Sequence, residues 1–253
     1  MVIKKIYMYW GQGFDQAPWI VQKCLASWQH YNSEWQIIQL SENNIQDYIE
    51  LPVRKGRSWA AWSDLIRISI LAKHGGVWCD ATLFCLKPLD NWLTNIAESG
   101  FWAFKAPTKD RLVASWFLYG EPSNYLIKRW YQSVLWYWDN PKNWDILRGR
   151  QRTRRNIKLR YYWFHHLFGK LCHRDKQFAE FWSQIKTRES GSCHFMLKRF
   201  LKRIDKTIEE RIDKPKVPLV KLSHKFKCQK LHAKAGVNYL IQRQKNYFLP
   251  KSL

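Results

Sequence analysis

The sequence predicts an α/β fold, and three observations lead there. Strand-like and helical runs alternate over residues 1–92 in the order strand, helix, strand, helix, helix, strand, the pattern of a sheet with crossover helices. An amphipathic helix ends at the glycine pair Gly75-Gly76 and passes directly into an apolar strand. Hydrophobic residues make up 46% of the 253 residues, enough for one large domain or one domain with a subdomain.

The elements follow in order. Ile3 to Trp10 is rich in Ile, Tyr and Trp and reads as a first strand, broken by Gly11-Gln12-Gly13. Pro18 suits the first turn of a helix running through Trp28. Trp35 to Leu40 is a second strand, and Ser41 with Asn43-Asn44 opens a short helix ending near Pro52. Ala60 to Lys73 is the strongest helix signal: Ala61, Leu65, Ile68 and Ala72 share one face, and Trp62, Ile66 and Ile70 widen it. Val77 to Cys79 reads as a buried strand with Asp80 at its end, and Leu83 to Leu86 resumes the apolar pattern.

Further strands are expected at Phe101–Lys105 and Ala114–Tyr119, and an aromatic-rich helix at Asn124–Tyr137. Together with the aromatic and basic run Tyr161–Phe200, that helix suggests a helical subdomain at about 122–212. Pro215 and Pro218 mark a boundary before a last strand, Val217 to Ser223, and Gly236 to Tyr247 reads as a surface segment.

Composition narrows the partners. A net charge of +23 attracts polyanions, whether nucleoside diphosphates, anionic lipids or nucleic acid. Sixteen tryptophans suit stacking on sugars or bases, or a membrane interface. Segment 148–160, RGRQRTRRNIKLR, carries seven basic residues and no acidic one; it reads either as a solvated basic helix or as a surface for phosphate-bearing lipid or nucleic acid. The six cysteines form no C-x-x-C pair, which argues against a zinc site and leaves reduced thiols as the expectation. MVIKKIYMYWGQGF lacks the apolar core of a signal peptide, and no apolar run reaches the roughly 18 residues of a spanning helix. No G-x-G-x-x-G follows the first strand and no G-x-x-x-x-G-K-[ST] occurs, so the usual dinucleotide and NTPase phosphate loops are excluded.

Candidate chemistry gathers between Trp59 and Trp92. Asp64 and Arg67 lie three apart on an otherwise apolar helix, where burying charge is costly unless it is paired. Asp80 stands at a strand end, where α/β proteins tend to bind ligands. Spacing leaves two readings open: an i,i+3 ion pair with Asp80 capping a turn, or a ligand site. His224 and Lys225, just after the last strand, either bind a metal and a phosphate or form a surface pair. His165, His166 and His173 have no acidic or cysteine partner at ligand spacing, so packing or local hydrogen bonds are expected of them.

Ser63-Asp64-Leu65-Ile66-Arg67, followed by His74-Gly75-Gly76-Val77-Trp78-Cys79-Asp80-Ala81-Thr82, resembles the S-D-x-x-R … G-G-x-x-x-D-x-D segment of family 32 glycosyltransferases and their relatives. It is most similar to the bacterial capsular polysaccharide synthesis branch, which reads G-G-x-W-x-D-A-T. Ile6–Trp10 with Ala17-Pro18 and Cys24–Trp28, then Ser115-Trp116-Phe117, then Lys221-Leu222-Ser223-His224-Lys225, agree with it.

The resemblance implies a GT-A-like, nucleotide-sugar-binding mixed sheet flanked by helices, and retaining transfer of a hexose-type sugar from a nucleotide sugar, UDP-linked, to a saccharide or lipid-linked acceptor. The product implied is capsular polysaccharide or lipopolysaccharide. The place implied is the cytoplasm, peripheral on the inner face of a bacterial membrane. Mn²⁺ or Mg²⁺ is the implied cofactor, held by Asp80 and His224. Asp80 matches the first carboxylate of the D-x-D, beside metal and diphosphate, and Thr82 stands where the second would be. Asp64 matches a residue bonding the donor sugar, and Arg67 one that contacts sugar or phosphates. Tyr9 and Trp10 fall where the base stacks, and His224 and Lys225 match the segment that closes over the diphosphate. Asp80, Asp64 and Arg67 are thus the expected catalytic residues. On this reading the ion pair is the weaker account of Asp64 and Arg67. The rival from another class is a nucleic-acid-binding protein, which the charge and the interleaved aromatics suggest but the central motif does not explain.

Overall fold

The computed structural model describes residues 2–54, 56–108, 111–140, 161–196, 210, 212, 217–224 and 238–242. The α/β architecture expected from the alternation is present: a mixed five-stranded sheet flanked by helices. Its strands are β1 (Lys5–Tyr9), β2 (Gln36–Leu40), β3 (Gly76–Cys79), β5 (Phe101–Thr108) and β6 (Arg111–Gly120), in the order β2-β1-β3-β6-β5. β1 runs parallel to β2 and β3, while β6 is antiparallel to both β3 and β5. A separate two-stranded ribbon pairs β4 (Leu83–Cys85) with β7 (Leu219–Lys221).

Alternation along the strands sorts side chains to two faces. Ile6, Met8, Val77 and Cys79 join the apolar layer made with α1 (Trp19–Tyr31) and the β4–β7 ribbon. Tyr7, Tyr9, Trp78 and Leu118 join the opposite layer with α2 (Trp59–His74) and α3 (Tyr125–Asp139). The helices of the expected subdomain, α3, α4 (Trp163–Arg174) and α5 (Lys176–Gln184), contribute Trp130, Phe164 and Phe178 to that same layer.

The α2–β3 joint positions everything that follows. Ser58 caps α2, its hydroxyl accepting from the Ala61 amide at 3.2 Å. Gly75 closes the helix at φ 66°, ψ −175°, and its amide donates to the Leu71 carbonyl at 3.0 Å. Gly76 follows at φ 101°, and a Cβ there would stand 2.7 Å from the Lys5 carbonyl oxygen. Only glycine supplies both the positive φ and the close approach that lets β3 pair with β1.

Several expected boundaries shift. The first strand is Lys5–Tyr9 rather than Ile3–Trp10. After β2 the expected short helix is a single 3₁₀ turn, Ile45–Asp47. Asn44 Oδ1 accepts the Ser41 amide at 2.8 Å, a side-chain turn that competes with helix. The strand expected at Val217–Ser223 is only Leu219–Lys221, and it pairs with β4 outside the main sheet. The basic segment 148–160, Lys225 and Cys228 lie outside the described residues.

Candidate active site

A cleft of about 760 Å³ opens where β1 and β3 end. Seven of the expected residues line it: Tyr9, Trp10, Asp64, Arg67, Asp80, Thr82 and His224. Lys225 lies outside the described residues.

Asp80 is placed by the sheet. Its amide donates to the Trp116 carbonyl at 2.9 Å, extending the β3–β6 ladder by one residue. Its carboxylate is held from two sides. Oδ1 accepts from the Trp78 indole at 3.1 Å and lies 3.3 Å from Arg67 Nη1; Oδ2 lies 2.8 Å from Lys221 Nζ. Burial alone would raise this carboxyl, but Lys221, Arg67 and the indole N–H together hold it below the usual carboxylate range.

Arg67 is the hub. From the buried face of α2 its Nη2 reaches Asp64 Oδ1 at 3.2 Å, and its Nη1 donates to the Ser115 carbonyl at 2.6 Å. Nε and Nη2 donate to the Ser63 carbonyl and hydroxyl, both at 3.2 Å. The guanidinium also lies 5.2 Å from the centre of the Trp78 ring. The Asp64–Arg67 contact, the weaker reading on resemblance alone, is therefore present, and both residues line the cleft. A guanidinium has enough donors to hold two carboxylates and a carbonyl at once. Asp64 gains less from it. Burial pushes its pKa up to about 7, against the pull of Arg67 and with a further push from Asp80.

Lys221 was not among the expected site residues. It reaches the cleft because β4 and β7 pair Leu83 with Lys221, and the Leu222 amide donates to the Thr82 carbonyl at 2.9 Å. Its Nζ then lies 2.8 Å from Asp80 Oδ2 and donates to Thr82 Oγ1 at 2.8 Å. The available signal was a charged residue inside the apolar run Leu219-Val220-Lys221-Leu222, which must find a partner once buried.

Other side chains were also missed. Trp78 is one, hidden inside the glycine motif. His165 lines the cleft from the first turn of α4, its Nδ1 buried without a hydrogen-bond partner among the described residues. Burial, with help from Arg67 and Arg111, lowers its pKa to about 3. The ring is therefore neutral at neutral pH. Arg111 stacks 4.0 Å over the ring of Tyr162, and both line the cleft.

At the β1 end, the Tyr9 hydroxyl donates to Glu42, which also accepts the Trp62 indole N–H at 2.8 Å. This shared acceptor fixes the Tyr9 ring. Trp10 meets His224 edge to face, with ring centroids 5.7 Å apart. So the two chain segments expected to enclose a donor do touch.

The divalent cation can be tested against these side chains. Mn²⁺ and Mg²⁺ need several oxygen ligands in near-octahedral array. Among the described residues no three His, Cys, Asp or Glu side chains cluster to provide one. Both Asp80 oxygens already face cationic groups, Thr82 Oγ1 accepts from Lys221, and the His224 ring lies against Trp10. Among the described residues, these side chains do not fit a Mn²⁺ or Mg²⁺ site, because the Asp80 carboxylate is already held between two cations.

An O-glycosyltransferase, braB, of Annulohypoxylon truncatum is 23% identical over 164 residues, covering 55% of this chain and 39% of its own length. A glycosyltransferase, afumC, of Aspergillus fumigatus is 23% identical over 159 residues, covering 54% and 41%. The match thus spans about two fifths of the length of these curated relatives. Among solved structures, PaToxG Glycosyltransferase overlaps 85% of both chains at a TM-score of 0.42 and 13% identity. A family model described as capsular polysaccharide synthesis protein matches residues 1–240, nearly the whole sequence, and the chain belongs to that family.

Proposed function

We propose that this chain is a glycosyltransferase of GT-A type. It moves a hexose-type sugar from a nucleotide sugar, UDP-linked, to a growing capsular polysaccharide or lipopolysaccharide acceptor, with retention of configuration. One observation carries the reading: Asp80, Arg67 and Lys221 converge in a single cleft at the strand ends, with Trp10 on its wall. A cleft of about 760 Å³ is within the size range of small-molecule sites. The names of the family and of the two fungal relatives support the same class.

The chemistry follows from the charges. In transfer from a nucleotide sugar, the bond between the anomeric carbon and the diphosphate oxygen breaks, and its electron pair stays on that oxygen. Cationic groups fixed before the reaction stabilise the charge that develops there. Arg67 and Lys221 are such groups, each held by a carboxylate. The acceptor hydroxyl oxygen attacks the anomeric carbon from the face the diphosphate leaves, and its proton passes to the departing phosphate oxygen. Trp10 offers the base an aromatic face. Asp64 bonds a donor-sugar hydroxyl, and Asp80 orients both cations. A rigid network of this kind lowers the reorganisation needed during transfer.

The cellular setting is part of the same proposal. Among the described residues no helix is long and apolar enough to cross a membrane, and the net charge is +23. A peripheral position on the inner face of a bacterial cytoplasmic membrane, next to a lipid-linked saccharide, accords with both.

The test is a donor screen reading release of UDP, GDP or CMP, run on the wild type and on Asp80→Asn. Asp80→Asn should lose about 10²–10³ of the turnover while keeping its circular dichroism, the scale seen when one preorganised electrostatic contact is removed. Full activity of a folded Asp80→Asn with any donor would overturn the role given to Asp80.

A further inference from the structure

Lys221 occupies an unusual position. Its ammonium bridges Asp80 Oδ2 and Thr82 Oγ1 at 2.8 Å each, the two side chains that align with the two carboxylates of a D-x-D motif. In a metal-using site a divalent cation would join those positions to the donor diphosphate. Here a lysine ammonium joins those two side chains to each other.

We propose that Lys221 is the resident cation of this site and that the chain binds a nucleoside diphosphate and transfers sugar without a divalent metal. The inference rests on the glycosyltransferase reading and deepens it. Three features of the site support it. The first is the donor set: Thr82 Oγ1 already accepts from Lys221, and Asp80 Oδ2 faces the same ammonium. The second is charge. Arg67 and Lys221 lie at opposite oxygens of Asp80, so a metal arriving there would meet two positive groups and no second carboxylate on the D-x-D. The third is construction. Lys221 is held by the β4–β7 register and by the Leu222–Thr82 backbone bond, and its side chain is 16% exposed. An ammonium fixed in this way is preorganised, and its residual N–H can meet a diphosphate oxygen.

The threonine then has a purpose. A carboxylate at position 82 would add a negative charge that favours a metal over a lysine. A hydroxyl accepts the lysine N–H and adds none. Thr82 and Lys221 are thus two halves of one substitution for a metal site.

Calorimetry on the full chain tests this with UDP and GDP as probes, in EDTA and again in millimolar Mn²⁺ or Mg²⁺. The wild type should bind the preferred diphosphate with a Kd in EDTA within about twofold of its Kd with metal, and turnover should survive EDTA in the same proportion. Lys221→Ala should weaken binding in EDTA by about tenfold or more, the effect of losing one charge-assisted contact. Lys221→Arg, which keeps the charge, should retain more of the affinity than Lys221→Ala. A wild-type affinity that rises about tenfold or more with Mn²⁺ would overturn the proposal while leaving the glycosyltransferase reading intact. The same holds if a folded Lys221→Ala binds as tightly as wild type in EDTA. Failure of every nucleoside diphosphate to bind in either buffer would overturn the parent reading, and this one with it. The wild-type comparison needs no variant, so it stands even if Lys221→Ala does not fold.

Discussion

Arg67 and Asp80 are joined across the cleft at 3.3 Å, one from the middle of α2 and the other from the turn after β3. The connection ties the helix to the sheet edge where the candidate site lies. Because the Arg67 side chain is 6% exposed, the pair sits where lost charge is not readily replaced by water.

Arg67→Met tests that connection. The variant leaves Asp64 without its cation and Asp80 with Lys221 alone. Removing one partner of a buried pair typically costs about 3–5 kcal/mol, and chemical denaturation should show a loss of that size. Arg67→Lys keeps a charge but lacks the fork that reaches Ser115 and Ser63, so its loss should be smaller. A Met variant within about 1 kcal/mol of wild type would mean that the network is not structural.

Asp64 gives the site a pH dependence. Its folded-state pKa is raised from 3.8 to about 7, so the folded protein holds this proton where the unfolded chain has released it. The stabilising contribution of the protonated group is fully present below pH 3.8 and is lost as pH rises through about 7. Asp64→Asn removes that titration. Relative to the variant, the wild type should lose melting temperature between pH 4 and pH 7 and then level off, as read by scanning calorimetry across a pH series. Parallel curves for the two proteins would contradict the raised pKa.

Trp10 is the expected base platform. Trp10→Ala should weaken UDP or GDP binding by an amount corresponding to about 1–3 kcal/mol, the usual worth of stacking a base on an aromatic ring. Calorimetry with the preferred nucleotide measures it. An unchanged Kd would move the base elsewhere in the cleft.

Membrane contact is open to a direct measurement. The chain should co-sediment with vesicles containing phosphatidylserine at low salt and should release progressively toward about 0.5 M salt, where the Debye length shrinks below 5 Å. Equal binding to neutral vesicles, or none at low salt, would argue against electrostatic docking. Tight RNA binding that outlasts moderate salt would instead favour the nucleic-acid reading.

Local pattern was a good guide to the elements of this chain and to three of the side chains that line the cleft. The face periodicity of α2, the glycine pair and the short apolar strand after it are all encoded within a few residues. That local grammar placed Asp64, Arg67 and Asp80 close to where they are found. It erred where a local side chain overrode it, as when Asn44 bonded the Ser41 amide and left a 3₁₀ turn in place of a helix. It also left two readings of Asp64 and Arg67 open, a pair or a ligand site. The two side chains meet at 3.2 Å, and both line the cleft.

What the sequence determined by itself is the alternation of elements, the strand-end carboxylate and the family motif around it. Only the tertiary structure decided how the charges combine. Lys221 and Asp80 are separated by 141 positions, and nothing local to either one announces the other. They meet because the β4–β7 ribbon fixes a register, and because a lysine drawn into an apolar layer must find a carboxylate there. Long-range strand pairing is set by packing of the whole chain, so the cation of this site became visible only with the fold.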